Sequence, residues 1–305
     1  MYTDSTIVDV VHKAMDSGIN LFDTAETYGY GRSEVLLGKA LSGYARDDYV
    51  IVSKAAPWNL GTKNLSKAIE NSLHRLQADY IDLYLIHYPN PFVSLKETLS
   101  QMKALTRRGK IRYVGVSNFG RCLVKKAMEF MDTEYLAADE IEYNIFSRRA
   151  EKGTIPFCLE KQISIIAFSP LAGEMLTGRY SPSNLARNRA RAFNFHNRKR
   201  FLEKAAPLFK VLGQISVERN ASIAQVALSY IIYHDSFFAI PAALNTGQVA
   251  DNALTADLQL AEEDVRRINA ASVSLGMPTY VFDNYAIRPI SWIKATMSHL
   301  VFGVP

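Results

Sequence analysis

Cysteine is nearly absent: Cys122 and Cys158 are the only two in 305 residues. A chain this long with so few thiols is not held together by disulfides, and the usage fits an intracellular, cytoplasmic protein. No run of about 18 apolar residues occurs, so no membrane-spanning helix is expected. The N-terminus lacks the apolar centre of a secretory signal, because Asp4 and Asp9 interrupt it. No strand pattern is followed by G-x-G-x-x-G, so a Rossmann-type dinucleotide site is not indicated. His87 has no second His or Cys at ligand spacing, which argues against zinc. There is no short-period repeat. Net charge is only +5, a mild attraction for anions and weak grounds for a nucleic-acid partner. With 21% charged and 48% hydrophobic residues the chain is not disordered. It can bury one large core, which suits a single domain over 1–305 better than two small ones.

What is present is an alternation. Helical spacing over Thr3 to Ser17 is followed by a strand pattern at Ile19 to Thr24. Further strand patterns lie at Tyr49 to Ser53, Ile81 to Ile86, Ile111 to Val116, Ala137 to Tyr143, Ser164 to Ser169 and Phe237 to Ile240. Helical patterns separate them, near 33–41, 62–77, 94–108, 121–131, 152–161, 201–219 and 223–233, with two more near 247–254 and 262–271. The strands read apolar throughout, as strands covered on both faces do. Alternating strands and helices predict an α/β fold with a parallel sheet. Seven strands are counted, whereas a closed (β/α)8 barrel has eight. The chain opens on a helix, so the first barrel strand would precede residue 1.

The chemistry is concentrated at strand ends. In INLFDTAETYGYGRSE, Ile19 to Glu34, a short apolar strand ends at Asp23 and delivers Tyr28 into the next loop. YVIVSK ends on Lys54, and IDLYLIH ends on His87. In parallel β/α folds the site lies outside the carboxyl ends of the strands, so these four residues would meet at one mouth. Any one of them in isolation reads more readily as a salt bridge or a cap; four at three successive strand ends do not. They suit a carbonyl that accepts a hydride, because its oxygen gains negative charge and needs a proton donor. Tyr28 is the donor in this reading. A nearby Lys54 ammonium would lower the tyrosine pKa, Asp23 would keep Lys54 charged and oriented, and His87 would orient the substrate oxygen.

The second half suits a dinucleotide. Ser117 and Asn118, at the end of VGVS, would hold a nicotinamide carboxamide. Phe168, at another strand end, would stack on the ring or serve simply as core. The glycine-bearing loop Ser169 to Tyr180 would bring backbone N–H groups to a pyrophosphate, with Ser169, Pro170, Leu171, Gly173, Leu176, Gly178 and Arg179 as candidate contacts. Trp58, just past Lys54, and Tyr88, just past His87, are candidates for the substrate pocket.

Taken together, GINLFDTAETYGYGRSE, VSK, DYIDLYLIH, GKIRYVGVSN, EYN, AFSPLAGEMLTGRY and AQVAL resemble the aldo-keto reductase family, over about Asp16 to Asn252. The likeness is to its bacterial, archaeal and potassium-channel β-subunit branch. It implies a (β/α)8 TIM barrel lacking the N-terminal hairpin and first barrel strand, and NADP-dependent reduction of small aldehydes, ketones or open-chain sugars. It places the family's catalytic four on Asp23, Tyr28, Lys54 and His87, and its carboxamide-binding Ser and Asn on Ser117 and Asn118. The carboxamide-binding Gln falls on Glu140, whose carboxylate can accept from the amide but cannot donate to its oxygen. The 2′-phosphate region falls on Ala242, Leu244, Asn245 and Gln248, which carry no charge, so NADP is the first cofactor candidate and NAD the second. Asp251 and Asn252 match adenine-contacting positions. The alternatives are a cofactor-binding regulatory subunit with little turnover, or an inactive shortened reductase.

Two stretches remain. RNRARAFNFHNRKR, Arg187 to Arg200, belongs to a long segment of about 171–200 and reads as a loop over the cofactor mouth rather than a nucleic-acid strip. The aromatic tail of about 277–305 would line the substrate pocket, pack on the barrel or form an oligomer contact. Only Arg288 and Lys294 carry positive charge there, so a membrane-surface role is disfavoured.

Overall fold

The computed structural model describes residues 4–131, 136–185 and 198–275. The expected segment 187–197 and the tail from Met277 lie outside the described residues. The strands are β1 (Leu21–Asp23), β2 (Val50–Ala55), β3 (Ile81–Ile86), β4 (Ile111–Ser117), β5 (Leu136–Glu142), β6 (Ser164–Phe168) and β7 (Phe237–Ala239). They form one seven-stranded sheet in chain order, every neighbouring pair parallel. The crossovers carry α2 (Arg32–Leu41), α3 (Thr62–Leu76), α4 (Leu95–Arg107), α5 (Arg121–Met131), α6 (Thr154–Glu160), α7 (Lys199–Glu218) and α8 (Ile223–Ile231). α1 (Asp4–Asp16) precedes β1, while α9 (Thr246–Ala253) and α10 (Glu262–Ser272) follow β7.

Each helix forms where its apolar spacing can be buried. In α3, Leu65, Ile69, Leu73 and Leu76 lie on one face and are all buried. Burying four such side chains contributes roughly 6–12 kcal/mol before conformational entropy is subtracted. Helix starts are capped by side chains: Ser94 accepts from the Glu97 N–H, and Ser222 with Gln225 forms a reciprocal box at α8.

The sheet curls. Val52, Leu83, Leu85, Ala138 and Ile166 form an inner cluster, and Leu21 of β1 and Ile240 just after β7 both pack against it. Residues from the two ends of the sheet thus touch one interior. Outside, α1 packs on α2 and on α9, so the helix layer comes round on itself. No pairing joins β1 to β7 among the described residues. Phe238 of β7 is 46% exposed. This is a (β/α)8-type barrel short of one strand, as the strand count implied.

The pleat decides which side chains enter the barrel. On β2, Ile51, Ser53 and Ala55 face the helices while Val52 and Lys54 face inward. Ser53 is pinned from outside: its Oγ donates to Glu34 Oε1 at 2.7 Å, and Arg75 Nε donates to Glu34 Oε2 at 2.7 Å. Gly31 makes this possible. Its φ is +88°, and a Cβ there would stand 2.7 Å from Arg75 Cδ. A buried ion pair thereby ties α2 and α3 to the strand that carries Lys54.

Candidate functional site

Five inward strand-end positions converge: Asp23 on β1, Lys54 on β2, His87 just past β3, Ser117 on β4 and Glu140 on β5. Lys54 is fully buried and donates to Asp23 Oδ1 and Oδ2 at 2.5 and 2.6 Å and to the Thr24 carbonyl at 3.0 Å. Burial works against the Lys54 charge, but the carboxylates of Asp23 and Glu140 outweigh it and hold the pKa above the ordinary lysine value. Burial raises the Asp23 carboxyl above its usual range, against the pull of Lys54.

Tyr28 opens a 3-10 turn, Tyr28–Gly31, in which Gly29 and Tyr30 are left-handed. That turn sets the tyrosine over its neighbours. The Lys54 ammonium is 5.0 Å from the Tyr28 ring centroid, and the His87 ring meets it edge-on at 5.7 Å. Burial pushes the Tyr28 hydroxyl above the usual tyrosine value, and Lys54 pulls it back only in part. The ammonium acts in the direction the sequence implied, but desolvation is larger, so the group stays a phenol at neutral pH. Thr27 Oγ1 lies 3.4 Å from His87 Nδ1, which orients the imidazole from below the same loop.

Ser117 and Asn118 stand beside this group, but their side chains are engaged. Ser117 Oγ donates to the Glu140 carbonyl at 3.1 Å. Asn118 Nδ2 donates to Ser117 Oγ at 3.0 Å and to the His87 carbonyl at 3.1 Å. Asn118 has φ +61°, a conformation Asn tolerates better than most residues. Phe168, partly exposed at the end of β6, is level with Glu142 of β5. Next to it Ser169, Ala172, Gly173, Glu174 and Gly178 all have positive φ. This left-handed run makes the loop concave. Its base is anchored by Asn144, fully buried, whose Nδ2 donates to the Ser169 carbonyl at 2.9 Å. Pro170 and Leu176 are buried, while Gly173, Gly178 and Arg179 face solvent.

Glu140 is part of the Lys54–Asp23 charge cluster rather than standing apart from it. It is 2% exposed, and its Oε2 lies 3.3 Å from Lys54 Nζ without a hydrogen-bond partner. Burial first, and then the Asp23 charge, keep its carboxyl well above the ordinary range, with Lys54 opposing.

After β7, Ala242 and Asn245 are exposed and Leu244 partly so. The neutral groups expected to bind there spend their amide oxygens within the protein: Asn245 Oδ1 caps α9 by accepting from Gln248 N at 2.9 Å, and Gln248 Oε1 accepts from Leu244 N at 2.7 Å. Asp251 accepts from Ser222 Oγ at 3.1 Å and Gln225 Nε2 at 2.8 Å, tying α9 to the start of α8. Asn252 is partly buried on the same helix.

Glu26 was missed by sequence reasoning, although it sits between Asp23 and Tyr28. Its carboxylate accepts from Ala56 N at 2.6 Å and Asn59 Nδ2 at 2.9 Å, while Asn90 Nδ2 holds the Pro57 carbonyl at 2.8 Å. These bonds fix the turn Pro57–Asn59 that presents Trp58, 45% exposed, at the mouth. Tyr88 is stacked on His87 at 4.8 Å. Only the folded chain reveals Glu26, because its partners are 30 or more residues away. Glu26→Ala should loosen this turn and make Trp58 fluorescence more readily quenched by acrylamide; unchanged quenching would refute the bracing role.

A separate cavity of about 450 Å³ lies in the helix layer, lined by Ile86, Phe119, Leu123 and Phe130 with Lys96 and Lys126. It shares no residue with the Lys54 cluster. Among the described residues no group of three or more His, Cys, Asp or Glu is arranged to hold a metal, and no helix is long and apolar enough to cross a membrane.

The family model for the aldo/keto reductase family matches residues 1–273. The chain is 32% identical over 268 residues to the methylglyoxal reductase YeaE of Escherichia coli (strain K12), covering 87% of this chain and 84% of that one. A thermostable aldo-keto reductase crystallised with the inhibitor epalrestat superposes with a TM-score of 0.74 at 33% identity, over 88% of each chain. An aldo-keto reductase from Klebsiella pneumoniae in complex with NADPH superposes with a TM-score of 0.72 at 28% identity, over 91% of this chain and 87% of that one.

Proposed function

This chain belongs to the aldo/keto reductase family of oxidoreductases, and from that premise we propose that it uses NADP(H) to reduce small aldehydes, ketones or open-chain sugars, with Tyr28 as the proton donor. The observation that carries the reading is the packing of Tyr28 and His87 around the Lys54–Asp23 pair at one mouth. A reduced nicotinamide, when bound, supplies the hydride. The residues present fit such a group: Glu140 has a buried oxygen without a hydrogen-bond partner, Ser117 is level with it on the neighbouring strand with Asn118 next in the chain, and Phe168 offers a partly exposed ring.

The chain's own part is proton and charge management. His87 orients the substrate carbonyl toward Tyr28. Tyr28 gives its proton to the oxygen as negative charge develops there, and the adjacent Lys54 ammonium stabilises the resulting phenolate. Asp23 holds Lys54 in place. Trp58 and Tyr88 form the wall against which the substrate rests.

Loss of cofactor absorbance with a carbonyl panel led by methylglyoxal tests the proposal. Tight cofactor binding with no turnover of any carbonyl would sink it and leave a regulatory cofactor-binding subunit. Cofactor choice follows from the neutral 2′-phosphate region. Charged hydrogen bonds contribute roughly 1.5–3 kcal/mol each, so without one the preference for NADPH over NADH should stay below about 100-fold. Leu244→Lys should increase it. A wild-type preference above about 1,000-fold, about 4 kcal/mol and so the worth of two charged bonds, would mean that the phosphate is held elsewhere.

A further inference from the structure

Two carboxylates converge on one ammonium inside the barrel. The three N–H donors of Lys54 are taken by Asp23 Oδ1, Asp23 Oδ2 and the Thr24 carbonyl. Glu140 Oε2, 3.3 Å away, therefore feels the charge but receives no hydrogen bond. Asp23 and Glu140 both stand within ion-pair distance of the same ammonium. With both ionised the buried group holds one negative charge in excess, which a water-poor interior resists.

We propose that Glu140 is a redox-linked proton site: it carries a proton when a reduced nicotinamide lies beside it and loses that proton when the ring is oxidised. The inference rests on the functional reading above. A protonated carboxyl donates through its O–H and accepts through its C=O, matching the carbonyl and NH2 of a carboxamide. A carboxylate supplies only the acceptor. The oxidised ring is positive and favours the carboxylate instead; the reduced ring is neutral and does not. Binding of the reduced cofactor to ionised Glu140 takes up one solvent proton, with no covalent bond changed.

The groups facing Glu140 do not replace it in this role. Asp23 is held by two Lys54 hydrogen bonds. Lys54, Tyr28 and Tyr88 keep their protons across the neutral range, each held above its ordinary value. His87 lies beyond Tyr28, and Ser117 and Asn118 do not titrate. On the β6 side the paired residue is Ile166. The exception is Glu142, two residues on along β5, which burial alone pushes up to about 7. It is the necessary control.

The test is the ratio Kd(NADPH)/Kd(NADP+) between pH 6 and 9. Both cofactors carry the 2′-phosphate, so its own titration cancels. The ratio should rise with pH, approaching about tenfold per unit where Glu140 titrates. Calorimetry in two buffers of different protonation enthalpy should give greater proton uptake with NADPH than with NADP+. Glu140→Gln should flatten the ratio and remove the difference in uptake; Glu142→Gln should keep both. A flat wild-type ratio, a slope that survives Glu140→Gln, or a slope lost in Glu142→Gln overturns the proposal. If neither cofactor binds, the functional reading fails and this inference falls with it.

Discussion

Tyr28→Phe is expected to lower kcat/KM at least about 100-fold, the scale for losing a positioned proton donor. The Kd for NADPH should barely move, because the hydroxyl is assigned to the substrate oxygen. Folding should be nearly unaffected, since the ring that packs against Lys54 and His87 is kept. The ring that meets His87 at 5.7 Å is retained in Phe. The variant therefore separates chemistry from architecture. Steady-state kinetics with one aldehyde, together with cofactor titration by fluorescence, gives the answer. Retention of most activity would remove Tyr28 from the donor role.

Lys54→Met should abolish turnover to a similar degree and should also destabilise the protein. Removing one partner of a buried ion pair typically costs about 3–5 kcal/mol. Here the change leaves Asp23 and Glu140 facing each other without an ammonium. Both carboxyls are already raised by burial. In the variant their folded-state pKa values lie higher still, above the unfolded values near 4. An acid with a raised folded pKa binds more protons folded than unfolded, so its favourable contribution exists at low pH and is lost as pH rises toward the raised value. The gap in Tm between wild type and Lys54→Met should therefore widen from about pH 4 upward. A gap constant between pH 4 and 8 would show that the two carboxylates do not share the ammonium as the geometry indicates.

The activity of the second variant should fall because Tyr28 loses the charge that opposes its desolvation. Burial already outweighs Lys54 at the tyrosine. Without the ammonium the phenolate formed on proton donation has no stabilising neighbour, and the transfer becomes less favourable. Tyr28→Phe and Lys54→Met should accordingly be far from additive in a double variant, since each disables the same proton donor.

Much of this was legible in the residues. The apolar strand patterns and the helical spacings between them correspond to the seven strands and to the helices of the described chain, with boundaries shifted by up to two residues. Such patterns are local: a strand covered on both faces is apolar throughout, and a helix repeats its apolar face every three to four residues. The same period explains why strand-end side chains could be assigned to one mouth. In parallel strands of matched register, alternate residues face inward, and β2 and β3 place Lys54 level with Leu85.

What the amino-acid order determined by itself is therefore the element sequence, the parallel sheet, and the chemical types Asp23, Tyr28, Lys54 and His87 at successive strand ends. The tertiary structure alone decided how those groups are charged. Asp23 and Lys54 are 31 residues apart, yet they meet at 2.5 Å, and with the Thr24 carbonyl that pair takes the ammonium's three donors. Asn245 and Gln248, neutral polar groups in the sequence, spend their amide oxygens in starting a helix. Glu26 becomes a brace for Trp58 only once two loops lie side by side. The physical reason is common to all three. Residue type sets which hydrogen bonds and charges a side chain can offer, but burial and competition among neighbours settle which are spent, and both depend on distances that no local pattern encodes.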